Sequence, residues 1–104
     1  MEYIDREKLE KLSDYLRYSL NEYIEEVLND SKEVPEVSAV TLNNLIICYI
    51  DFLNSFHFGV FKSVKSFFIF CGYTEEDYGA FKRKVDLESK YYVGKQFREK
   101  TGNG

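Results

Sequence analysis

The residues able to do covalent chemistry are few. The chain holds one histidine, His57, and two cysteines, Cys48 and Cys71. A thiolate nucleophile needs a base within hydrogen-bond reach, so His57 with either cysteine is the dyad to consider. The same three residues are spaced 9 and 14 apart, which matches no common zinc pattern, and a zinc site wants three or four ligands. Glu25-Glu26 and Glu75-Glu76 are the carboxylate pairs that acid–base work or a magnesium ion would use. Both fall where a helix turns toward solvent, and there a paired charge is ordinary. Gly72, Gly79 and Gly94 stand alone, with no glycine-rich phosphate loop. The expectation is therefore no enzyme, no catalytic residue, no cofactor and no metal, with His57 as a helix-end residue and both thiols reduced in a cytoplasmic protein.

The elements that position these residues read as four helices. Asp5 to Asn29 carries Leu9, Leu12, Leu16, Leu20, Tyr23 and Val27 in steps of three and four, one apolar stripe with Asp5 as N-cap. Asp30 to Ser38 holds the only proline and no periodicity, so it is a loop, read as crossing one end of the bundle. Thr41 to Phe56 is apolar almost all round and should be central. Its ICYI run has strand-like composition, but stepping and length favour a helix. Gly59 should stop it.

A short third helix is expected over Val60 to Cys71, stopped by Gly72. Thr74 should cap the fourth, with Glu75, Glu76 and Asp77 in its first turn. Gly94 should break or bend that helix, and residues 98–104 should fray. Together these predict an all-α fold: one irregular four-helix bundle over residues 1–104, with short joints at Gly59 and at Gly72-Tyr73.

Composition narrows the partners. Nine Tyr, nine Phe and no Trp make the chain 17% aromatic. Residues 1–60 hold 12 acids and 5 bases, so −7, and residues 61–104 hold 6 acids and 9 bases, so +3. No run reaches the roughly 18 apolar residues of a membrane span. The start, MEYIDREKLEK, is acidic and amphipathic, unlike a signal peptide.

Gly72-Tyr73-Thr74 between two helices has the form of a helix-turn-helix turn. Bulky Phe68 and the acids at 75–77 oppose it, because those acids would face phosphate. A basic, aromatic run on the last helix, with Lys82, Arg83, Lys84, Lys90, Tyr91 and Lys95, is the alternative surface for nucleic acid or an acidic partner.

The sharpest signal is Phe67-Phe68-Ile69-Phe70. A helix on a small domain turns only part of such a run inward. Leaving one such side chain in water forgoes roughly 1.5–3 kcal/mol. Several near one turn form a patch of the kind that marks partner surfaces. Phe58, Phe61, Phe67, Ile69 and Phe70 are therefore the expected partner-binding residues, for another protein or a second copy, with no membrane partner. In length and composition the chain is similar to the short, acidic, aromatic-rich proteins of phages and mobile elements. These include anti-CRISPR and replication-inhibitor proteins. That likeness implies an inhibitor occupying the surface of a host or defence protein.

Overall fold

A computed structural model describes residues 5–29, 37–59 and 61–102, with side chains described as far as residue 90. Four helices follow in chain order: α1 Arg6–Asn29, α2 Ala39–Ser55, α3 Val64–Phe70 and α4 Glu75–Gly102. No strand occurs among the described residues, and the ICYI run is helical. The all-α bundle expected from the periodicity is what forms. Most of the Asp30–Ser38 loop lies outside the described residues, as does Val60.

Local chemistry opens each helix. The Asp5 carboxylate accepts from the Glu7 amide at 3.0 Å at the head of α1. Ser38 accepts from Thr41 N at 3.2 Å and starts α2 two residues before the expected Thr41. Ser63 accepts from Ser66 N at 3.2 Å and starts α3 at Val64, not Val60, so Phe61 lies ahead of the helix. Thr74 and Asp77 exchange bonds of 3.1 and 2.9 Å at the head of α4, a reciprocal box.

Two helix ends share one geometry with different residues. After α3, Gly72 takes φ 92°. Its amide donates to Ile69 O at 3.1 Å, and Tyr73 N to Phe68 O at 3.0 Å. After α2 the same pair of bonds runs from His57 N to Asn54 O at 3.2 Å and from Phe58 N to Leu53 O at 2.8 Å. The left-handed residue there is His57, at φ 61°. The chain thus leaves α2 at His57, two residues before the expected stop at Gly59, and the histidine has the helix-end role read from the sequence.

The core is aliphatic between α1 and α2 and aromatic toward α3 and α4. Ile24, Leu42, Ile46, Phe67, Phe68 and Phe81 are fully sealed. Phe68 meets Phe81 at 4.9 Å and Tyr78 at 5.5 Å between ring centroids. The α1 stripe departs from expectation in its first half, where Leu12 is 46% exposed and Ser13 is buried. The cause is Tyr49, whose phenol donates to Ser13 O at 3.1 Å. That spends its single hydrogen, so in the 2.9 Å hydroxyl pair Ser13 donates to Tyr49. A leucine in place of Ser13 would keep the bond to the carbonyl but remove the one that the buried phenol oxygen accepts.

α4 fastens the far ends of the first two helices. Lys84 Nζ donates to the carbonyl of Val27 in the last turn of α1. One turn on, the Glu88 carboxylate accepts from Ala39 N at 3.2 Å and Val40 N at 3.0 Å in the first turn of α2. A cation on a C-terminus and an anion on an N-terminus each oppose the local helix dipole. α4 runs to Gly102, so Gly94 does not end it. One glycine costs a helix about 1 kcal/mol relative to alanine, too little to end it alone.

Candidate functional site

The expected partner residues divide at α3. Phe67 lies edge-on to Tyr49 at 5.7 Å and to Phe61 at 5.3 Å, and is wholly inside. Phe61 is buried as well. Neither is a surface residue, which corrects the expectation for both: α3 starts late, so Phe61 folds back under the helix as a floor. Ile69 and Phe70 remain 46% and 54% exposed, and Phe58 is half-buried. The four-residue run therefore sends its first two members inward and its last two outward.

Phe70 and Phe58 line a cleft of about 340 Å³ between the first half of α1 and the α2–α3 corner. α1 supplies the opposite wall. Arg6, Glu10, Ser13 and Arg17 step by four, three and four, so they share one helix face. The Arg6 guanidinium stands 4.6 Å from the centroid of the Phe58 ring, and that of Arg17 stands 5.4 Å from Phe70. Each arginine also meets a carboxylate, Arg6 with Glu10 at 3.6 Å and Arg17 with Asp14 at 3.1 Å. A guanidinium held over a ring by a flanking carboxylate covers apolar surface while its charge stays in water. Phe70 rests edge-on against Phe61 at 4.9 Å, so the exposed ring is fixed before any partner arrives. The arginines were missed at the sequence level, although their spacing on α1 was a usable signal.

Of the histidine and the two cysteines, His57 alone lines the cleft. Cys48 lines a groove on the other side of the α1–α2 seam. The half-buried Cys71 faces Asn21 and Arg17. Burial pushes the Cys71 thiol up, against the smaller opposing pulls of Asn21 and Arg17, and a raised thiol is a poor nucleophile at neutral pH. No group of three or more metal-ligating side chains gathers among the described residues.

The basic run of α4 is also divided. Lys82, Arg83 and Lys90 are exposed, whereas Lys84 turns inward to α1. The side chains of Tyr91 and Lys95 lie outside the described residues. At the helix-turn-helix-like turn, Phe68 is sealed in the core and Glu75 pairs with Lys65 at 3.4 Å. No helix among the described residues is long and apolar enough to cross a membrane.

Compared with known proteins, the chain matches no family model, no curated protein and no solved structure.

Proposed function

We propose that this chain is a non-enzymatic protein-binding module that docks through the α3 corner, with Phe70 and Ile69 as anchors and the arginine-lined cleft beside them. The observation that carries the reading is the exposure of two adjacent large apolar side chains at the end of α3, of which Phe70 lines that cleft and Ile69 stands beside it next to Lys65 and Ser66. Rigid aromatics next to arginine are the composition of interface hot spots, because they bury much area for little lost rotamer freedom. The partner is a host or defence protein whose working surface is covered, in keeping with the likeness in size and composition to phage and mobile-element inhibitors. Binding then acts by occupancy and requires no chemistry.

Phe70→Asp tests this. Phe70 is more than half exposed, so the variant keeps its thermal melt, while a protein captured by the wild type from native-host lysate is lost at least tenfold, the loss of one buried aromatic anchor. An unchanged set of captured proteins would sink the reading. The second reading, a nucleic-acid-binding regulator, draws on exposed Lys82, Arg83 and Lys90. It requires binding that falls steeply with salt and weakens on reversal of Lys82 and Arg83. The inward turn of Lys84 removes one of its cations.

A further inference from the structure

We propose that the groove between α1 and α2 seats the Arg83–Leu87–Lys90 stripe of a second copy of this chain. The groove holds about 340 Å³ and its lining is almost wholly apolar, from Leu16, Leu20 and Tyr23 on α1 and Leu45, Cys48 and Phe52 on α2. Leu45 is 41% exposed, and Leu12, one turn before Leu16, is 46% exposed, so the apolar strip runs on past the hollow.

Among the described residues, the stripes beyond Ser19 and Cys48 carry acids. Glu22 lies three residues on from Ser19, and Asp51 three on from Cys48, so both stand on the stripes beside the lining. α2 contains no lysine or arginine, and α1 contains none after Arg17. The matching piece is therefore an apolar anchor flanked by cations.

Among the described residues, α4 carries such a piece, with one exposed acid, Asp86, beside its two cations. Leu87 is 67% exposed, level with Tyr15 as the most exposed of the large apolar side chains described. Arg83 is four residues before it and Lys90 three after, so all three project from one face of α4. Both cations are exposed. Placing Leu87 in the groove sets Arg83 and Lys90 against the acidic rim. Opposite fields of this kind bring copies together and fix their register. The contact uses a face other than the α3 corner and does not rest on the reading proposed for that corner.

Light scattering after size exclusion, over a concentration series at low and high salt, reads the association. The wild type is expected to form a dimer or higher species, and added salt weakens it. Leu87→Glu, at a site two-thirds exposed, leaves the melt unchanged and weakens association about tenfold or more. Two further variants are decisive. Glu22→Lys with Asp51→Lys makes the rim basic, and Arg83→Glu with Lys90→Glu makes the stripe acidic. Each alone should stay monomeric, because groove and stripe then share a sign. Mixed, they should associate again, since each groove now opposes the other copy's stripe. A wild type that is monomeric up to about 1 mM would overturn the proposal. So would association that survives Leu87→Glu, or a mixture that fails to recover it.

Discussion

The cleft and the groove lie on either side of one helix seam, have about the same volume and share Tyr49 as a wall. They treat surplus apolar surface in opposite ways. In the cleft the chain covers its own rings, with Arg6 over Phe58 and Arg17 over Phe70, each guanidinium held by a carboxylate one turn away. In the groove no cation among the described residues stacks on a ring, and Leu45 and Phe52 are partly open to water. The difference follows from where α1 keeps its bases. Its four all precede Tyr18, on the half beside the cleft, and its second half has only acids. A partner at the cleft must displace or stack on arginine, which selects by geometry. A partner at the groove meets hydrocarbon with Glu22 and Asp51 on the neighbouring stripes, which selects by charge.

The largest break in this comparison is at the shared wall. Tyr49→Phe removes the phenol that accepts from the Ser13 hydroxyl and donates to its carbonyl, and leaves that hydroxyl buried without its partner at the wall both sites share. Stability should fall by about 1–3 kcal/mol in chemical denaturation, and both sites should loosen together. A loss confined to one site would mean that the two hollows are mechanically separate.

A smaller effect separates the cleft from the rest of the fold. His57 holds a left-handed φ of 61° that glycine adopts freely, and the equivalent residue after α3 is already Gly72, at φ 92°. His57→Gly should raise stability by about 0.5–1 kcal/mol. Gly72→Ala should lower it by about 1 kcal/mol through backbone strain alone, because an added Cβ meets nothing within 4 Å. Thermal melts of the two variants should therefore move in opposite directions.

The finest distinction is read by the thiols, with no change in stability. Cys48 is exposed in the groove. Cys71 is half-buried, and burial raises its pKa, so less of it is thiolate at any pH below that value. A thiol reagent near pH 8 should label Cys48 first and Cys71 much later, and raising the pH should narrow the gap. If the groove seats a second copy, Cys48 labelling should also slow as concentration rises. Equal labelling of both residues would contradict the burial on which the contrast rests.

Much of the frame was legible in the residues. Steps of three and four set four helices, and Thr74 with Asp77 and Gly72 mark joints through bonds spanning a few residues. The outer half of the candidate site was legible too, since a helix cannot turn four bulky neighbours one way. Which two face inward follows from the same stepping, since Phe68 falls on the stripe of Val64 with Phe67 beside it, while Ile69 and Phe70 fall with Lys62, Lys65 and Ser66. Counting Phe61 and Phe67 among the partner residues as well did not hold, because both are interior, and Ser63 delays α3 and brings Phe61 beneath it. The stop at His57 rather than Gly59 escaped notice because histidine seldom takes that backbone shape, and only the packing of the corner requires it there.

The sequence by itself determined what depends on near neighbours: helix type, helix count, caps and the excess of aromatic side chains. Only the tertiary structure decided the pairings between distant positions. Ser13 meets Tyr49 across 36 residues, Glu88 meets Ala39 across 49, and Lys84 meets Val27 across 57. Helix propensity and capping act over about four residues, so they are blind to such pairs. A buried hydroxyl or an open helix end accepts whichever partner the packed chain brings within about 3 Å, and packing is a property of the whole chain.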